Sequence, residues 1–259
     1  MRTVLLLGWL LLTGQNVVAY ESKPYGQVLM AFVNQDGLVN YKGLKQNSAQ
    51  LETYLASLNK LTMTIYQDWS EPAQLAMWLN AYNASVLKTI MDHYPIKKRF
   101  PSSLAYPNGI QQIANVWKEK RYNIMGEKLS LDDIEHKKIR KLFKEPRIHM
   151  ALVCAAKSCP NLRNEPYDGK KLDEQLADQS KNFLNRADRY KVDYEKRTIH
   201  VSKIFDWFGD DFGSPKKEAI VQFIELYAPI SSNESEQGAS LKNFKVDYLP
   251  YDWNLNEQK

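Results

Sequence analysis

The segment from Ser70 to Pro95 constrains this chain more than any other. Ser70-Glu71-Pro72 reads as a helix start, with Ser70 as N-cap and Pro72 tolerated in the first turn. Pro95 marks the stop. From Ala73 to Leu87 the residues are apolar nearly all round, so the helix cannot lie on a surface and has to be the buried centre of the fold. Asn80 and Asn83 sit three apart within that apolar surface. An unpaired buried amide costs about 1–3 kcal/mol, so each needs partners. Either they clamp the helix to a neighbouring loop, or they serve a site by orienting a catalytic histidine or donating to an oxyanion.

The remaining elements are expected to wrap this helix. Residues 24–34 have helical spacing, Asp36-Gly37 turns into a short strand Leu38–Tyr41, and a second helix covers 44–60. Arg121–Leu129 alternates around Met125-Gly126 as a hairpin. Ser130 and Asp133 form a capping arrangement that opens a helix carrying Ile134, His136, Ile139 and Leu142. Ile148–Val153 reads as a short buried strand, and Leu172–Asn185 as a helix. Tyr190–Tyr194 and Thr198–Ile204 form a second hairpin, and Ser214-Pro215 caps a last helix, Glu218–Tyr227. The tail Ser231–Ser240 is polar, and Val246–Leu255 regains enough aromatic residues to pack back. The expected class is α+β: a buried central helix on a small antiparallel sheet, surrounded by further helices.

Residues 1–19 have the order of a secretory signal peptide, with Arg2, an apolar run from Val4 to Leu12, and Val17 and Ala19 before the cut. That run is too short to span the ~30 Å of a bilayer core. Export as a periplasmic or secreted protein, without stable membrane insertion after cleavage, is therefore expected. No linker or repeat divides residues 20–259, which read as a single globular domain with its motif-bearing core over about 70–256. A net charge of +5 is scattered, apart from Lys97-Lys98-Arg99 and Lys137–Lys144, and no basic run is interleaved with stacking aromatics. Nucleic acid is not an expected partner; an unidentified peptide or small molecule is.

Both cysteines, Cys154 and Cys159, follow closely on His149. On a strand His149 and Cys154 point to opposite faces, so the chain has to bend after Val153 for them to meet. Cys159 lies in a loop of small residues ahead of Pro160. Four readings stand open: a disulfide, favoured by an oxidising compartment, a pair of buried thiols, a reactive thiol, or a metal site using Cys154, Cys159 and a histidine. The metal reading lacks a second close ligand pair, and no cofactor is implied. Of the other histidines, His93 ends the central helix and His200 faces outward from a hairpin.

Five motifs carry a resemblance. They are Trp78 to Ala84, Leu131 to His136, Arg147 to Leu152 with Ser158-Cys159-Pro160, Trp207 with Asp211-Phe212, and Tyr251 to Asn256. Together they resemble domain-of-unknown-function family 547, whose similar members include exported bacterial proteins; the resemblance implies no reaction. A more distant likeness is to papain- and transglutaminase-like thiol folds, in which a central helix packs on a sheet that carries the histidine. The departure is that such helices start with the nucleophilic cysteine, and this one contains none.

The first functional expectation is a Cys–His site for hydrolysis or transfer at an amide or ester. Cys154 or Cys159 would be the nucleophile and His149 the base, with Asn80 or Asp252 orienting it and Asn83 donating to an oxyanion. The alternatives are a non-catalytic binding module with a structural disulfide and a Cys/His metal-binding protein.

Overall fold

A computed structural model describes residues 20–97, 105–229 and 240–259. The signal segment 1–19, Lys98 and Arg99 of the basic run, and residues 231–239 of the polar tail lie outside the described residues. Among the described residues four helices precede the central one: α1 (Lys23–Phe32), α2 (Tyr41–Gln46), α3 (Ala49–Lys60) and α4 (Met63–Gln67). The strand expected over Leu38–Tyr41 shrinks to isolated bridges of Val39 with Val33 and Glu257, because Asn40 caps α2 by accepting from the Gly43 N–H at 2.8 Å. The single helix expected over 44–60 is broken at Asn47-Ser48. There the Asn47 amide bonds back to the Gly43 carbonyl, and Asn47 leaves helical geometry.

Helix α5 (Glu71–His93) is the centre, with every side chain from Leu75 to Leu87 buried. It is packed mainly by α2, α3, the later helix α6 (Leu172–Leu184) and a π-helical segment, Asp133–Arg140. The capping box ahead of that segment forms as expected. The Ser130 hydroxyl accepts from the Asp133 N–H at 3.0 Å, and the Asp133 carboxylate from the Ser130 N–H at 3.0 Å. Ile134 and Ile139 are buried one wide turn apart, while Leu142, expected on the same face, is exposed beyond the helix end.

Strands β1 (Tyr122–Ile124) and β2 (Glu127–Leu129) form the expected hairpin. Met125 and Gly126 take φ of +51° and +75°, the left-handed pair that matches strand twist in a two-residue turn. The second sheet holds β3 (Tyr190–Asp193), β4 (Thr198–Val201) and β5 (Lys245–Tyr248) in that order. β3 and β4 run antiparallel, but β5 lies parallel to β4, so the sheet is mixed rather than antiparallel. Helices α7 (Ile204–Trp207) and α8 (Lys216–Tyr227) complete an α+β fold. The C-terminal stretch then returns to the start of the fold, with Val39 bonded to the backbone of Asn256 and Gln258 at 2.9 and 3.0 Å.

Ile148–Val153 is not a strand. A 3₁₀ turn covers Pro146–Met150, Ala151 remains in the helical region, and the chain extends only from Leu152. The reason lies in α5. The Asn83 amide donates to the Ala151 carbonyl at 3.0 Å and its oxygen accepts from the Val153 N–H at 2.9 Å. One buried side chain thus supplies the two bonds that a neighbouring strand would otherwise give. Asn80 does the same for Tyr167, at 2.8 Å in both directions. Gln179 of α6 adds bonds to the carbonyls of Met150 and Asn161, at 3.1 and 2.7 Å.

Candidate functional site

Cys154 and Cys159 are joined as a disulfide, so neither is a free thiol. The loop they close is laced to the C-terminal stretch. Asn256 N–H donates to the Ala155 carbonyl at 3.0 Å, Lys157 N–H to Asn254 at 2.8 Å, and Asp252 N–H to the Ser158 hydroxyl at 2.8 Å. These bonds hold Ala155 at φ +61°, a conformation that costs a non-glycine residue about 1–2 kcal/mol. The lacing also sets Tyr251 over the bridge, its hydroxyl 3.4 Å from Cys154 Sγ and 3.1 Å from Cys159 Sγ.

The disulfide forms part of the wall of a cavity of about 230 Å³. Because the chain turns through Pro146–Met150 instead of running as a strand, His149 reaches the same cavity as both sulfurs. The opposite-face expectation fails with the strand on which it rested. His149 is buried, stacked on Phe208 at 4.3 Å, and its Nε2 lies 2.8 Å from Asp211 Oδ2. Arg140 binds the same carboxylate through both oxygens, at 2.6 and 2.9 Å. The His149 bond, and then Arg140 working against desolvation, hold the Asp211 carboxyl well below the usual carboxylate range. An ionised Asp211 places the proton of its partner nitrogen on His149 Nε2.

The group beside His149 is therefore Asp211, and not Asp252 or Asn80 as expected. Asp252 accepts from Asn254, through its N–H at 2.9 Å and its side-chain amide at 2.6 Å. The Asn80 amide is taken up by Tyr167 and that of Asn83 by Ala151 and Val153, so the asparagines act as clamps beneath the site. His200 stays apart, 3.4 Å from Asp247 in the mixed sheet. With both sulfurs paired to each other the metal reading loses its thiolates. Among the described residues no three His, Cys, Asp or Glu are grouped to hold an ion.

Sequence reasoning missed the rest of the wall. Trp207, Tyr251 and Trp253 form one mutually touching cluster, with ring centroids 4.7–5.8 Å apart. Trp117, Phe208 and Tyr82 add further rings, and Asp132 and Glu135 add carboxylates from the π-helical side. Burial, and after it the Glu135 carboxylate to which it is hydrogen-bonded, push the Tyr82 phenol well above its ordinary value. Burial likewise raises Tyr251. Most of these residues stand within the five motifs that carry the resemblance, which was the available signal, and three of the six tryptophans line this cavity.

A disulfide-closed loop, a histidine–carboxylate–arginine cluster and an aromatic cavity over a buried helix together define the class: an α+β domain with one composite site. Residues 66–184 match the model of a family described as protein of unknown function, DUF547, and this part of the chain is similar to that family. The matched segment contains α5, Asp132, Glu135, His149 and both cysteines, whereas Trp207, Asp211, Tyr251 and Trp253 lie beyond it. No curated protein and no solved structure matches the chain. The wider likeness to papain- and transglutaminase-like folds loses its main support, because the segment proposed as the histidine-bearing strand is a 3₁₀ turn.

Proposed function

We propose that residues 20–259 form one exported ligand-binding module in which the disulfide is structural. The observation that carries this reading is the cavity itself, a recess walled by aromatic rings with a few convergent polar groups, the usual build of a small-molecule site. Two features speak against a resting nucleophile there. Both sulfurs are bonded to each other, and the carboxylate that would assist His149 is already neutralised by Arg140. A disulfide in a core loop also fits an oxidising compartment, and with it cleavage before Tyr20.

The test is a fragment screen by ligand-observed NMR on the mature protein, run in parallel on a Trp207→Ala/Trp253→Ala variant. Hits that vanish in the variant are expected. A set of hits indifferent to the cavity, or none, overturns the binding reading.

One observation favours a second reading. Cys154, Cys159 and His149 face the same recess, so the reduced protein would bring a thiol and an imidazole together for acyl transfer to water or another acceptor. Mild reduction followed by iodoacetamide below about pH 7 tests it. Fast alkylation at a single cysteine, slowed by His149→Ala, would promote the enzyme reading; slow and equal labelling of both would reject it.

A further inference from the structure

We infer that the cavity takes an organic cation, an ammonium or alkylated ammonium group on a small apolar body; this rests on the ligand-binding reading above. The chain is basic overall, with 35 lysines and arginines against 30 acidic residues. Yet among the described residues that line the cavity there is no lysine or arginine, and the two carboxylates are those of Asp132 and Glu135. Neither forms an ion pair with a described residue. The neighbouring Asp133, by contrast, is paired with Lys137 at 2.6 Å. The lining histidines turn elsewhere, His136 toward Arg140 at 2.9 Å and His149 toward Asp211 at 2.8 Å.

The rings supply the second half of the argument. Trp207, Tyr251 and Trp253 stand tilted to one another in a continuous wall, with Trp117 and Tyr82 among the remaining rings of the lining. Trp207 is 46% exposed, a large indole left open at the rim. Tyr82 and Tyr251 are held in their neutral phenol form by burial. A cation over such faces is attracted by the electron-rich face of each ring, more strongly where water is excluded. An anion would meet two carboxylates without an ion pair, Asp132 and Glu135, the latter accepting from the Tyr82 phenol. A neutral ligand would gain the ring contacts but leave both carboxylates desolvated without a counter-charge. Only a cation satisfies both kinds of wall.

Choline and its uncharged isostere 3,3-dimethylbutan-1-ol separate these cases when titrated into the mature protein by tryptophan fluorescence and calorimetry, with methyl β-glucoside as a sugar probe. Saturable choline binding is expected, with the isostere weaker by about tenfold or more. The Asp132→Asn/Glu135→Gln double variant should weaken choline by a similar factor and leave the isostere unchanged or bound more tightly. Trp207→Ala, at a half-exposed rim residue, should weaken both. Equal binding of choline and the isostere, preference for the glucoside, or no choline saturation by concentrations on the order of 10 mM overturns the cation inference. If fragments still depend on Trp207 and Trp253, the binding reading survives that result; if they do not, both fall.

Discussion

Helix α5 and the π-helical segment Asp133–Arg140, with Asp132 at its head, both carry polar side chains toward the middle of the domain, and these end in opposite conditions. The amides of Asn80 and Asn83 have backbone partners on both atoms, at 2.8–3.0 Å. The carboxylates of Asp132 and Glu135 face a cavity and form no ion pair with a described residue, while Glu135 accepts from the Tyr82 phenol and is attracted by Arg140. A saturated buried polar group ties two segments together and has nothing left to offer a ligand. A carboxylate at a cavity wall without an ion pair adds less to the fold and retains its capacity to bind a cation.

The largest effect expected from that difference is on the α5 side. Asn83→Ala leaves the Ala151 carbonyl and the Val153 N–H without partners in a buried segment that has no strand beside it. Asn80→Ala does the same at Tyr167. Each should destabilise by about 2–4 kcal/mol. Urea midpoints measure this, and an unchanged midpoint for either variant would remove the distinction between the two regions.

The disulfide should come next. For so short a closed loop the chain-entropy model gives about 2 kcal/mol. Cys154→Ser and Cys159→Ser should lose that amount alike, and the double variant should be no worse than either single one. A large inequality between the two would mean that one sulfur has a role beyond the bridge.

The acid limb sharpens the comparison, because Asp211 is the carboxylate at the site that is ion-paired. Its folded pKa is depressed, so its stabilisation is complete above the unfolded value of about 4 and is lost as the pH falls through the folded value. The pair with Arg140 is about a quarter exposed and screened accordingly. Asp211→Asn should therefore cost about 1 kcal/mol at pH 7 and flatten the loss of stability below pH ~4. Parallel acid limbs for the variant and the parent would show that Asp211 contributes nothing through its charge.

The sequence disclosed α5 because an all-apolar helix between a Ser-x-Pro start and a proline stop has only one place to go. The hairpin at Met125-Gly126 and the Ser130–Asp133 cap were readable for the same reason: their signals are local. Ile148–Val153 misled because a short apolar run bounded by proline looks alike whether its backbone is paired by a strand or by side chains. What satisfied it, Asn83 and Gln179, lies far away in sequence. The cavity was hidden for a related reason. His149 and the cysteines stood out by residue type, but Asp211, Trp207 and Trp253 join them only through tertiary packing that no spacing encodes. The expected partner of the histidine is Asn80 or Asp252. The actual partner was Asp211, which a turn at Gly209 brings across from another part of the chain.

The smallest effect is the most pointed. Asp132 is partly buried and has no ion pair with any described residue, and a second carboxylate, Glu135, lines the same cavity. With no ligand bound, two negative charges on one apolar recess repel each other. Removing one should leave stability unchanged or raise it slightly. Asp132→Asn is therefore expected to stay within about 0.5 kcal/mol of the parent, with any gain largest at low ionic strength, where the repulsion is least screened. Urea midpoints at two salt concentrations measure this against the loss in Asn83→Ala, one polar group for another across the same core. A loss above about 1 kcal/mol in Asp132→Asn would place its carboxylate among the groups that hold the fold, and the contrast between the two helices would no longer mark where a ligand sits.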